Sequence, residues 1–135
     1  MSRKNAERYY LAIDAFNRRD LDGFLALMDE DVRGDSRLAP MEGGYHGHDG
    51  IRRWWRDLTG GFPDINFEIV EARDVGDFTV AVLRIRAHGA DSHAPVVEKL
   101  WQVSEWRDDK AVWWSAYPSE AEALEAVELR LIERA

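Results

Sequence analysis

At 135 residues the chain is long enough to bury roughly two-thirds of its unfolded surface in one core, and a single domain over residues 1–135 is expected. With 45% hydrophobic and 33% charged residues it is globular in composition, no run approaches the ~18 apolar residues of a membrane helix, and a net charge of −8 repels nucleic-acid phosphates. Cysteine is absent, which removes disulfides, thiolate metal sites and a cysteine nucleophile, and "MSRKNAERYY" lacks the apolar stretch of a secretory signal, so a cytoplasmic protein with no membrane or nucleic-acid partner is expected.

Residues about 3 to 18 predict an amphipathic helix, because Ala6, Tyr9, Tyr10 and Ile13 fall at i, i+3, i+4 and i+7 and Phe16 extends the stripe. Asp20 is placed to cap a second, shorter helix carrying Leu21, Phe24, Leu25 and Met28. In "GGYHGHDGIRRWWRDL", Ile51, Trp54, Trp55 and Leu58 repeat the helical spacing. Both tryptophans therefore face one way, Arg52, Arg53 and Arg56 face the other, and Asp49 is placed as the N-cap. His46 and His48 flank Gly47 ahead of this helix. The HxH spacing suits a metal, but no third ligand is identifiable, and a solvent-exposed loop is the plainer reading.

From about residue 65 the period changes from 3.6 to 2. Ile65, Phe67 and Ile69 alternate with Asn66 and Glu68, and Leu83, Ile85 and Ala87 alternate with Arg84, Arg86 and His88. "DVGD", "GADSHAP" and "RDDK" are turn signals, so "VVEKLWQVSEWR" and "AVWWSAY" complete an antiparallel meander. Ser119 and Glu122 stand at capping-box spacing and open a C-terminal helix. Three helices, a curved antiparallel sheet and a terminal helix make an α+β fold.

The ordered set "AFNRRDLDGFLALMDEDVRGD", "YHGHDGIRRWW", "FPDINFEI", "VSEWRDDKAVWWSAY" and "EAEALEAV" resembles the SnoaL-like branch of the nuclear transport factor 2 superfamily, which also holds the ketosteroid isomerases. The resemblance covers nearly the whole chain. It implies a cone-shaped, strongly curved sheet wrapped around the N-terminal helices (a cystatin-like α+β barrel), an apolar pocket inside, no cofactor, and a homodimer packed through the outer sheet face. Such a cone would collect Tyr10, Phe16, Trp54, Trp55, Leu83, Ile85, Trp106 and Trp114. Aromatic side chains at these spacings either line a ligand pocket or fill it as core.

The same resemblance aligns the proton-abstracting aspartate of ketosteroid isomerases with Asp35. It puts Ala12 where their oxyanion-donating tyrosine stands, and Gln102 where they carry a protonated acid. A carboxylate at an apolar wall would have its pKa raised toward the range of a general base. Tyr9 or Tyr10 and the Gln102 amide are the candidate donors. The plainer reading of Asp35 is a strand-end aspartate in water or paired with Arg33 or Arg37. Asp57 lies off the tryptophan stripe, at the pocket rim or in solvent.

Val82, Arg84, Arg86, Trp101, Val103 and Glu105 share the opposite strand parity, a face too apolar to leave wet. A second copy is expected to cover it, with Arg84 or Arg86 paired to Glu105 and His88 at the contact. Two functions are compatible with these residues. One is a small cofactor-free cyclase, isomerase or hydratase acting on a polyketide- or steroid-like substrate, with Asp35 as base and Tyr10 or Gln102 as hydrogen-bond partner. The other is a binding or accessory protein using the same cone without chemistry.

Overall fold

The computed structural model describes residues 4–36 and 43–134. In chain order the elements are α1 (Lys4–Asn17), α2 (Leu21–Leu25), β1 (Met28–Asp35), β2 (Tyr45–His46), α3 (Gly47–Gly61), β3 (Asn66–Val75), β4 (Phe78–His88), β5 (Pro95–Arg107), β6 (Lys110–Tyr117) and α4 (Glu120–Arg134). The six strands form one curved sheet in the order β2-β1-β6-β5-β4-β3, left unclosed between its two edge strands. Among the described residues no helix is long and apolar enough to cross a membrane.

Strands β3 to β6 are the expected antiparallel meander. Its turns follow from their residues: Gly76 has φ 59°, and Asp108 and Asp109, at φ 51° and 70°, supply the two left-handed positions of a two-residue hairpin. Register shifts at Ile69/Glu71 and Glu105/Trp106 interrupt the ladders where the sheet bends. One pairing departs from an all-antiparallel sheet, because β1 runs parallel to β6. The chain reaches β6 only after crossing the whole meander, and it arrives in the direction of β1.

Two local expectations are corrected. The second helix stops at Leu25, and Met28 instead opens β1, where Met28 is buried and, past an irregularity in the pairing, Val32 and Gly34 point inward. Helix α3 begins at Gly47, so Asp49 lies inside its first turn rather than at its cap. There it favours the positive helix end and pairs with Arg52 at 2.8 Å. The segment holding His46 and His48 is strand β2 and the start of α3, not a loop. The other caps form as the sequence suggests: the Asp20 carboxylate accepts from the Gly23 N–H at 2.9 Å, and Ser119 accepts from Glu122 N–H at 3.2 Å while donating to its carboxylate at 3.0 Å.

Helices α1 and α3 pack on the inner sheet face, where Phe16, Trp54, Trp55 and Phe67 join the main core. Helix α1 is laced to the edge strand β3 at both ends. The Ala6 N–H donates to Asp74 at 2.7 Å, and the Asn17 amide donates to Phe67 C=O at 2.8 Å and accepts from Phe67 N–H at 3.0 Å. The two Asn17 bonds occupy backbone groups that an edge strand otherwise leaves unmet.

The outer face has its own cover. Helix α4 packs Ala123 and Val127 against Phe78, Val80, Val103 and Trp113, with Trp101 at the margin. The apolar face expected to need a second copy is thus met largely by the chain's C-terminal helix. The expected charge pairs change accordingly. Glu105, 2% exposed, accepts from Arg130 of α4 at 2.8 and 2.9 Å, and that guanidinium lies 4.2 Å from the Trp113 ring centroid. Arg84 pairs with Glu68 on the neighbouring strand at 2.9 Å. His88 points outward as expected and meets Asp64 at 2.6 Å, and hydrogen bonding from His88 holds the Asp64 carboxyl below its usual range.

Replacing Arg130 by methionine keeps much of the stem packing but removes the guanidinium from a buried carboxylate. Urea unfolding of Arg130→Met is expected to show a loss on the order of 2 kcal/mol, much of it recovered in the double variant with Glu105→Leu.

Candidate functional site

Between the helices and the inner sheet face lies a cavity of about 50 Å³, room for on the order of four water-sized groups. Helix α1 contributes Tyr9, Ala12 and Ile13 to its wall, and α3 contributes Trp54 and Leu58. From the sheet come Leu83 and Ile85 of β4, Leu100, Gln102, Ser104 and Trp106 of β5, and Trp114 of β6.

Five of the expected ligand-lining residues, Trp54, Leu83, Ile85, Trp106 and Trp114, therefore stand at the cavity. Phe16 and Trp55 do not. They pack against each other behind the wall, ring centroids 4.8 Å apart, and Trp55 meets Phe24 at 5.4 Å. Sequence alternation along β5 also contained Leu100 and Ser104, which share the parity of Gln102. The sequence reading passed over both.

Two of the three expected catalytic residues lie elsewhere. Tyr10 is 45% exposed and outside the cavity, whereas Tyr9 is 3% exposed and forms part of its wall. Adjacent helical residues differ by about 100°, and the buried face of α1 runs through Ala6, Tyr9, Ala12, Ile13 and Phe16, leaving Tyr10 on the solvent side. Asp35 is exposed because its neighbours Gly34 and Ser36 take the inward parity of β1. It aligns with Ser115 on the side of the sheet away from Trp114. Its charge adds there to the upward pKa shift of Tyr117, which burial mainly causes. Arg33 shares that outward parity, and Arg37 lies outside the described residues. Asp57 stays on the surface of α3, where it accepts from the Tyr45 hydroxyl at 3.3 Å.

Gln102 is where it was expected. Its Oε1 accepts a short hydrogen bond from the Tyr9 hydroxyl, which joins helix and sheet side chains across the cavity wall. Burial pushes the Tyr9 phenol far above its ordinary range, and nearby Tyr10 adds to the shift. Trp106 donates its indole N–H to Thr79 Oγ1 at 3.0 Å. Trp54 and Trp114, each 5% exposed with ring centroids 5.1 Å apart, have no hydrogen-bond partner for their indole N–H groups among the described residues.

Among the described residues, no Asp, Glu, His, Lys or Arg lines this cavity. His46 and His48 each place Nε2 near a backbone carbonyl, at 3.1 Å from Gly43 and 2.9 Å from Met28, and no group of three metal-ligating side chains gathers among the described residues. The wall can bind apolar surface and exchange hydrogen bonds, but it offers no group that takes a proton near neutral pH.

A raised tyrosine pKa means that the folded state holds its proton longer than the unfolded chain, whose tyrosines ionise near pH 10. Stability is then complete below about pH 10 and falls as the pH rises further, since unfolding releases the proton. Tyr45 and Tyr117 shift the same way. Tyr9→Phe is therefore expected to lessen, without abolishing, the alkaline loss of stability measured by denaturant unfolding between pH 8 and about 11.

The SnoaL-like domain family matches residues 6–114, from α1 into β6. No curated protein matches the chain. Among solved structures, it is similar to a nuclear transport factor 2-like protein of unknown function from Burkholderia pseudomallei, at 23% identity and TM-score 0.77 over 93% of this chain and 97% of that one. It is also similar to TerC co-crystallised with polyporic acid, at 19% identity and TM-score 0.73 over 93% and 98%. A third is IdmH of Streptomyces antibioticus, proposed to be a polyketide cyclase, at 18% identity and TM-score 0.72 over 90% and 96%. At these identities the likeness establishes the fold alone. With the family pattern running through every strand and the three N-terminal helices, the protein belongs to the SnoaL-like domain family.

Proposed function

We propose that this protein binds a compact, apolar small molecule in the cavity and performs no proton-transfer chemistry on it. The observation that carries this reading is a wall without charged side chains among the described residues: Asp35, the one carboxylate the family resemblance offers as a base, faces away from it. Apolar walls with a few convergent polar groups are the usual form of small-molecule sites. The space is too small for a four-ring steroid and suits a compound of about four or five heavy atoms.

The Tyr9–Gln102 pair supports a second reading, a cofactor-free cyclase or isomerase resembling the activity proposed for IdmH. Tyr9 and Gln102 would polarise a substrate carbonyl, and the proton acceptor would have to be water or the substrate itself. A thermal-shift series of monocyclic ketones, epoxides, aromatic polyketides and steroids separates these readings when paired with product analysis. Binding alone predicts stabilisation by about 2.7 kcal/mol at 100 times the dissociation constant for the compact members, with no product. Turnover that is lost in Gln102→Leu but kept in Asp35→Asn would establish the second reading. No shift anywhere in the series would overturn both.

A homodimer, implied by the family resemblance, would use the part of the outer face that α4 leaves open, near Glu68, Arg84, Val97 and Lys99. Val97 is 71% exposed there. Sedimentation should then give twice the chain mass, and Val97→Glu should return it to a single chain; a monomeric wild-type protein would exclude this pairing.

A further inference from the structure

We infer that Trp54 and Trp114 are the specificity-determining donors of the cavity, and that its ligand is a neutral carbonyl compound whose oxygen accepts from their indole N–H groups. This rests on the proposal that the cavity binds a small molecule, and it adds which polar group the molecule carries.

Three tryptophans stand at the wall, and they differ in one respect. Trp106 has its N–H satisfied by Thr79 at 3.0 Å. Trp54 and Trp114, both 95% buried, have none within reach. A buried donor without a partner is costly, and protein interiors rarely keep one. Among the described residues three such donors occur; that of Trp101 lies on the outer face, while those of Trp54 and Trp114 belong to residues bordering the same space, with their rings in edge-to-face contact at 5.1 Å.

An indole N–H donates and cannot accept, so the complementary group on a ligand is an acceptor. Gln102 adds to the same polarity. Its Oε1 already accepts from Tyr9, and its amide nitrogen adds a further donor. The Tyr9, Ser36 and Ser104 hydroxyls on the same wall can donate or accept, whereas the indoles and the amide nitrogen can only donate.

Charge then narrows the ligand class. A carboxylate or phosphate would also accept from indoles, but burying an anion without a cation carries a large desolvation cost. No cationic side chain lines the described wall. A ketone, ester or lactone oxygen keeps the acceptor and drops the charge.

The test compares acetone, its hydrocarbon counterpart isobutene and the anion acetate, each small enough for the cavity, by isothermal titration and by heteronuclear NMR of the assigned indole N–H resonances of the wild-type protein. Acetone should bind at least about tenfold more tightly than isobutene. It should also move the Trp54 and Trp114 N–H signals downfield while leaving that of Trp106 in place. Equal affinity of ketone and hydrocarbon, or unmoved Trp54 and Trp114 signals on saturation, would overturn the inference while leaving apolar binding intact. Preference for the carboxylate would overturn the neutral class. Failure of all three to bind would sink this inference and, together with a silent thermal-shift series, the binding proposal beneath it. Trp114→Phe gives an independent check, with a selective loss for the ketone and little change for the hydrocarbon.

Discussion

Much of this architecture depends on the absence of a side chain at Gly34. The Trp114 indole lies so close to that strand position that a Cβ built there would stand 2.2 Å from the ring. Any larger residue on β1 would force either the indole or the strand aside, and both are constrained. Strand β1 is held beside β6 by parallel pairing, with Gly34 opposite Trp114 itself. The indole is held from above by Trp54 of α3, which in turn stacks on Phe24 at 5.7 Å. One missing methyl group thus lets a strand, a helix and the last strand of the meander meet around a ring that also borders the cavity.

The same packing explains why the cavity is small. A sheet that curves over two helices encloses space, and interiors otherwise fill to crystal-like density. Phe16, Phe24, Trp54 and Trp55 crowd together, with centroid separations between 4.8 and 6.3 Å, and take up most of what the sheet encloses. What survives is the wedge between Trp54, Trp114 and the Tyr9–Gln102 pair. The outer face shows the converse solution. There α4 lies flat on the sheet, and the carboxylate of Glu105 is tolerated because Arg130 reaches it from the covering helix.

Periodicity carried the element order, the meander and its turns, the Asp20 cap and the capping box at Ser119. It also separated the two sheet faces correctly. It failed where a one-residue choice decides the answer. Tyr9 and Tyr10 both satisfy a helical stripe, and only the packing of Ala12 and Phe16 against the sheet selects Tyr9. Asp35 matches the family's catalytic position in linear order, but strand parity turns it outward and gives the inward places to Gly34 and Ser36. Trp54 and Trp55 lie on one stripe, yet only the first reaches the cavity because Phe16 and Phe24 engage the second. Which tryptophan N–H finds an acceptor is a fact of three-dimensional contact that no spacing contains. The cover supplied by α4 was missed for a related reason: alternation shows that the outer strand face is apolar, but not which element settles on it.

Foldable sequences tend to satisfy their buried polar groups, and departures concentrate where a ligand or a reaction needs them. Here three buried indole N–H groups go without a partner among the described residues, those of Trp54 and Trp114 beside the cavity and that of Trp101 on the outer face. Polar side chains tie α1 to β3 and α4 to β5, and tie Trp106, on the cavity wall, to Thr79. Trp54 and Trp114 keep theirs open beside the cavity. Phenylalanine at either position would have supplied aromatic surface without a polar group to bury. Retaining two indoles on an uncharged wall has a stability cost that a hydrogen-bond acceptor from outside the chain would offset, and this couples the occupancy of the cavity to the stability of the fold around it.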